Sequence, residues 1–317
     1  MKIPRWFSLL AAWSFVLLPM VAVAQVNVVQ TVAPNVYFHE GDIGRKGHCN
    51  NGWIVFADYV LVIDGNFPSG AQEVIPKIKA LTDKPIRFAF NTHHHGDHAY
   101  GNQVWHEAGA MPVAHIGALA EFKKYETNYF GGGGPGRWEE AAKGRPDVAA
   151  SRLKIPTVLF KQDLYFDDGK QRVELLHFGV AHTHGDGFAW LPNEKILFTG
   201  DACVNGPYNY VGDGHIGDWI KTLQGAQKLG PKFICPGHGA MGGPEILEDQ
   251  INFFVTLHGE VQRLFTAGKS AADVKAAVDD IKAKVKGNDR LLRYVGGGFA
   301  GQVEKAFVEL GGAAFPR

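Results

Sequence analysis

Short runs of apolar, β-branched and aromatic residues, bounded by Gly, Asn, Asp or Pro, recur along the chain and read as strands. They fall at 36–38, 53–56, 59–63, 86–90, 111–114, 157–160, 164–166, 172–178, 188–191, 196–198 and 233–235. Ala57-Asp58, Asp167-Asp168-Gly169 and Pro192-Asn193-Glu194 are the turns expected to join three hairpins. Elsewhere the apolar spacing lengthens to that of helices, at 69–81, 103–107, 118–125 and 218–229. From Pro244 onward it is helical in period, at 246–267, 271–285 and 302–310. Ser69 is the expected N-cap of the first helix, with Val74, Ile75, Ile78 and Leu81 on one face and Pro76 inside it. The clearest break is Gly131-Gly132-Gly133-Gly134-Pro135-Gly136, where the entropy of ordering glycine argues against a regular element. It reads equally as a linker between two halves or as a mobile flap beside a site.

The first residues follow a different pattern. Lys2 and Arg5 precede an apolar run from Trp6 to Leu18, and Ala22-Val23-Ala24 precedes Gln25. A charged start, a short apolar run and a small-x-small site describe a cleavable signal peptide spanning 1–24, with the mature protein from 25 to 317 periplasmic or secreted. Pro19 keeps the apolar run short of the roughly 20 residues a stable membrane span needs. Removing 24 residues from 317 leaves 293, enough for one large α/β domain or two small ones. With Lys2 and Arg5 gone, 30 basic residues face 32 acidic ones, and no basic block recruits nucleic acid or an anionic membrane. The expected partner is a small molecule; the oligomeric state is left open. Three cysteines, Cys49, Cys203 and Cys235, are too few for a disulfide framework, though one bridge is allowed.

What the strands lead into carries the chemistry. Strand 86–90 delivers Asn91-Thr92-His93-His94-His95-Gly96-Asp97-His98; strand 172–178 is followed by Ala181-His182-Thr183-His184-Gly185-Asp186; strand 196–198 runs into Thr199-Gly200-Asp201; strand 233–235 runs into Pro236-Gly237-His238-Gly239. A solvated polar loop would explain neither the spacing in the first tract nor the later histidines in the same setting. The recurrence of His-x-His-Gly-Asp, at His93 and again at His182, fits a sandwich of two sheets with outer helices. Imidazoles and carboxylates suit zinc, and also hold iron, manganese or cobalt. His93, His95, Asp97, His98, His182, Asp201 and His238 make seven, the right number for two ions with three ligands each and one carboxylate between them.

These tracts, in this order, resemble the metallo-β-lactamase superfamily over most of the chain after residue 24. The family pattern H-x-H-x-D-H stands here as His93-x-His95-x-Asp97-His98, the later histidine as His182, the bridging aspartate as Asp201 and the last histidine as His238. The resemblance implies a four-layer αββα sandwich with two zinc ions at one edge. His93, His95 and His182 would hold one ion, Asp97, His98 and His238 the other, with Asp201 bridging. It also implies that hydroxide shared by two ions about 3.5–4 Å apart attacks a carbonyl, with Asp97 and Asp201 as the catalytic carboxylates. Asp64 resembles a family position that hydrogen-bonds a ligand histidine. His184 and Asp186 are expected behind the ligands or shaping their loop, and His94 is expected to face away. Tyr208, Tyr210 and His215 are candidates to meet substrate, and Cys203 and Cys235 are expected to be packing residues.

The implied activity is hydrolysis of a small ester, lactone, lactam or thioester. True β-lactamases of the superfamily usually carry Cys or Ser where Asp201 stands; the aspartate is more similar to glyoxalase II and lactonases. A β-lactamase in the strict sense is one alternative, and an iron-dependent redox enzyme another. The di-iron flavoproteins of the superfamily carry a carboxylate where His95 stands, and 293 residues leave no room for their flavin domain.

Overall fold

The computed structural model describes residues 25–316, so the expected signal peptide lies outside the described residues. Seven strands form one sheet in the order β1 (Val29–Ala33), β2 (Val36–His39), β3 (Asn51–Val55), β4 (Val60–Ile63), β5 (Ile86–Asn91), β6 (Met111–His115) and β7 (Val158–Phe160). The first four are antiparallel, and β4 to β7 run parallel. Five form a second sheet in the order β12 (Phe233–Pro236), β11 (Ile196–Gly200), β10 (Phe188–Leu191), β9 (Arg172–Leu176) and β8 (Asp163–Asp167). Only β11 and β12 pair in parallel there.

Alternation along the strands stacks the layers. In β3 and β4, Ile54, Leu61 and Ile63 join Phe38, Phe90, Phe166, Leu175, Leu191 and Phe198 between the sheets. The intervening Trp53, Val55, Val60 and Val62 face Ala71, Val74 and Ile78 of helix Pro68–Lys79 and Trp105 of helix Asn102–Glu107. On the far side, Trp190, Leu197 and Ile234 of the second sheet pack on helices Ile216–Gln227, Glu245–Thr266 and Phe299–Glu309. The result is an αββα sandwich, as expected, with β3, β4, β10 and β11 buried on both faces. Each fully buried Leu, Ile or Phe contributes about 1.5–3 kcal/mol. Among the described residues, no helix is long and apolar enough to cross a membrane.

Several expectations need correction. β7 completes the first sheet, so the chain changes sheets at Lys161-Gln162 and the glycine segment does not join the halves. Ser69 is not a cap: Phe67 and Pro68 open the helix, and the Ser69 hydroxyl donates to Asp147 at 2.6 Å. Leu81 lies beyond the helix end and is exposed. Strand β1 and helix Arg137–Gly144 were not anticipated. The former contains no fully buried residue, and the latter buries none of its side chains, so neither carries a clear apolar face.

Candidate metal centre

Four strand ends at one edge of the sandwich supply the candidate ligands. β5 runs through Thr92 into His93, His95 and a short helix, Gly96–Ala99, that carries Asp97 and His98. β11 ends at Gly200 beside Asp201, β12 ends two residues before His238, and the β9–β10 connection carries His182. Two glycines allow the close approach. Gly200 sits at φ 50° with Thr92 where a side chain would be, and a Cβ on Gly237 would fall 2.1 Å from Asp201 Oδ1.

All seven side chains converge. Donor atoms of His93, His95 and His182 lie within 4.8 Å of one another, as do those of Asp97, His98 and His238. Asp201 stands between the two sets: Oδ1 is 3.2 Å from His98 Nε2, and Oδ2 is 3.3 Å from His238 Nε2 and 3.6 Å from His182 Nε2. Asp97 Oδ2 lies 3.1 Å from His238 Nε2. The outer ring nitrogens of His93 and His182 are anchored. His93 Nδ1 contacts Thr92 Oγ1 at 3.1 Å, Thr92 donates to Asp64 Oδ1 at 2.8 Å, and His182 Nδ1 donates to the Tyr210 carbonyl at 2.9 Å. Asp64, held at φ 66°, also accepts from Thr92 N and places Oδ2 2.9 Å from His98 Nδ1.

The electrostatics divide along the same lines. Burial, helped by neighbouring imidazoles, holds His93 well below the usual histidine range and brings His182 down to about 3. Burial also acts to lower His98 and His238, but the surrounding carboxylates outweigh it, and His238 rises to about 9. For Asp201 burial pushes up, and His238 and His98 prevail to hold it well below the carboxylate range. Positive charge is therefore stabilised where the carboxylates meet the rings. His93 Nε2 is wholly buried without a hydrogen-bond partner. A set of five imidazoles and two carboxylates with such an atom turned inward fits a borderline divalent cation.

The remaining candidates separate. His94 faces away from the cluster, as expected, into a buried pocket between Phe122, Tyr125 and the Arg137 guanidinium, with Nε2 3.7 Å from Asp213 Oδ2. Asp186 shapes its loop by accepting from Thr183 N and Oγ1, both at 2.8 Å, and burial raises it to about 7. His184 stands corrected: the tight turn that buries Asp186 leaves it exposed, outside the hydrogen-bonded cluster. His215 is not among the residues lining the cavity over the cluster; its Nδ1 accepts from Asp218 N and caps helix Ile216–Gln227. Tyr208 and Tyr210 do line the cavity over the cluster, about 380 Å³ in volume, with Ile43, Tyr100, Tyr125 and Arg137. Cys49, Cys203 and Cys235 are free and buried, the last two in the apolar cores.

Two polar residues escaped sequence reasoning. Asn50 donates to the carbonyls of Pro236 and Gly239, both at 2.8 Å, and so fixes the His238 loop from the other sheet. Asp213 accepts from His95 Nε2 at 2.8 Å. Against the upward push of burial, bonds from His95, Arg137 and Lys124 hold Asp213 far below the usual carboxylate range. Each is a single polar residue in an irregular loop, without the repeat or spacing that made the histidines conspicuous.

Comparison with known proteins agrees with this architecture. A curated metallo-beta-lactamase type 2 from Bacteroides fragilis is 29% identical over 108 residues, 32% of this chain and 43% of that enzyme, so the likeness spans less than half of the relative. Among solved structures, a metallo-beta-lactamase from Pontibacter korlensis superposes with a TM-score of 0.58 at 19% identity, covering 72% of this chain and 98% of that one. The DIM-1 metallo-beta-lactamase gives 0.57 at 18% identity, covering 74% and 99%. At such identities the structures speak for the fold alone. The model of the metallo-beta-lactamase superfamily matches residues 44–238, more than half of the chain, and the chain belongs to that superfamily.

Proposed function

We propose that the protein is a metal-dependent hydrolase of small carbonyl compounds: an ester, lactone, lactam or thioester. The observation that carries this reading is the place of Asp201, whose two oxygens reach both donor sets at the wall of the cavity. We assign one divalent cation, zinc by donor chemistry, to His93, His95 and His182, and a second to Asp97, His98 and His238, with Asp201 shared. When bound, such ions polarise a carbonyl and acidify water toward neutral pH.

The chain's own residues do the rest. The Thr92–Asp64 relay and the Tyr210 carbonyl hold ring nitrogens with their lone pairs inward. Asp97 opens onto the cavity with 22% of its side chain exposed, and it accepts a hydrogen bond from the attacking water, orienting it toward the substrate carbon. Burial favours its neutral form, but His98 and His238 overcome that and keep it an acceptor. Tyr208, Tyr210 and Ile43 offer apolar walls, and Tyr125 completes them with its hydroxyl buried behind the surface.

The test is elemental analysis of the purified protein, followed by assay on nitrocefin, an acyl-homoserine lactone, a thioester and a phosphodiester. Two zinc ions per chain and turnover of a carbonyl substrate are expected. Asp201→Ala lowers metal content below two and reduces kcat/KM by about 100-fold or more. Iron content with no hydrolysis, or an unchanged Asp201→Ala variant, overturns the reading.

A further inference from the structure

His95 is anchored differently from the other histidines. It points Nδ1 inward, 2.8 Å from His182 Nε2, and turns Nε2 outward to Asp213 Oδ2 at 2.8 Å. A carboxylate only accepts, so the Nε2 proton is committed to Asp213 and Nδ1 is left as a bare lone pair. His182 gives its Nδ1 proton to the Tyr210 carbonyl, so its Nε2 is also a lone pair. Two lone pairs held 2.8 Å apart repel unless positive charge lies against both.

Asp213 is itself built in. Its side chain is 6% exposed. Arg137 grips both oxygens, at 2.7 and 3.0 Å, and Lys124 donates to Oδ1 at 2.8 Å. Lys124 is further paired with Glu121. The two cations allow the carboxylate to remain ionised while buried, and it faces two rings: His95, which donates to Oδ2, and His94, whose Nε2 lies 3.7 Å from the same oxygen. Arg137 also lines the cavity, so the wall that meets substrate and the anchor of His95 share one carboxylate.

We propose that Asp213 is a positioning residue that fixes the tautomer and orientation of His95, and thereby sets the affinity of only one of the two metal positions. This rests on the metal assignment above. Asp213 reaches none of His98, Asp97 or His238, so the second position is expected to be indifferent to it. The competing explanation is that Asp213 serves only to tie Arg137 and Lys124 to the loop after Asp201.

The experiment is zinc titration of metal-stripped protein against a chromophoric chelator at pH 7, with the fold checked by circular dichroism. Wild type takes up two equivalents in two resolved steps. Asp213→Ala weakens one step by about 10–100-fold and leaves the other within about threefold. Asp213→Asn keeps an acceptor oxygen but not the charge and falls between, which gives a reading even if the alanine variant does not fold. Arg137→Gln, which loosens the grip and leaves the carboxylate and Lys124, weakens the same step by less than Asp213→Ala does and spares the other. If both steps survive Asp213→Ala and Asp213→Asn, or if these variants weaken both steps alike, the positioning role is wrong while the metal assignment stands. A wild-type protein that takes up no zinc overturns both.

Discussion

His115 joins β6 to the next helix by serving two partners at once. Its Nδ1 accepts from Gly117 N at 3.1 Å, its Nε2 donates to the Lys161 carbonyl at 3.0 Å, and its ring stacks on His177 at 3.8 Å. Protonation would set an N–H against the Gly117 amide. Burial and the neighbouring His177 accordingly bring its pKa from 6.5 down to about 4. A folded value below the unfolded one means that the neutral ring's contribution is complete above pH 6.5 and is lost as pH falls toward 4. His115→Asn keeps a cap acceptor and has nothing to titrate, so its urea-unfolding free energy should fall less between pH 6.5 and 4, by about 1–3 kcal/mol. Parallel slopes for the two proteins would refute this. At this scale the sequence was informative where residues cluster. Four imidazoles and a carboxylate within six positions are costly to keep without a use, and all seven proposed ligands were readable. Asn50 and Asp213 were not, because what matters about them is a partner more than a hundred residues away in sequence.

Among the elements, helix Ile216–Gln227 most directly connects packing to the site. Trp219 is wholly buried, packs at a tilt against Phe254 at 4.6 Å, lies edge-on to His182 at 5.4 Å and donates to the Ala202 carbonyl at 2.7 Å. Trp219→Ala removes that packing and is expected to cost about 3–5 kcal/mol in chemical denaturation. Trp219→Phe should cost about 1–2 kcal/mol, since Gln250 still donates to the same carbonyl. Equal losses in the two variants would mean that the hydrogen bond, not the apolar volume, dominates. Strands were legible because those between two covered faces are nearly continuous apolar runs. Helix Arg137–Gly144 was not: its residues are exposed or half-buried, and it meets the site only through Arg137 and through Trp138, which packs on Tyr100. The glycine segment before it is stabilised by backbone geometry instead, with Gly131, Gly132 and Gly133 at positive φ and Gly133 N donating to the Asn128 side chain.

Across the whole molecule, the candidate centre lies over the seam between the sheets. His93, His95, Asp97 and His98 follow the first, and His182, Asp201 and His238 follow strands of the second. Ions bound there hold only the folded arrangement, so they stabilise it by mass action. Removing metal with a chelator is expected to lower Tm by about 5–10 °C, and restoring zinc should recover it. A Tm unmoved after verified metal loss would place the ions somewhere other than across the two sheets. The sandwich itself was legible from the order of strands and helices, whereas the strand at which the chain changes sheets was not. β7 is three residues long, and only its pairing with β6 assigns it to the first sheet.

The placement of the seven residues along the chain also has a consequence in time. His98 is made 140 residues before His238. At ribosomal speeds of roughly 5–20 residues per second, the first four imidazoles exist for on the order of 7–30 s before the last one appears. During that interval the histidine tract has no complete second sheet to close it. A complete centre can form only after synthesis has passed Gly239, which makes metal acquisition a late event in the life of the chain.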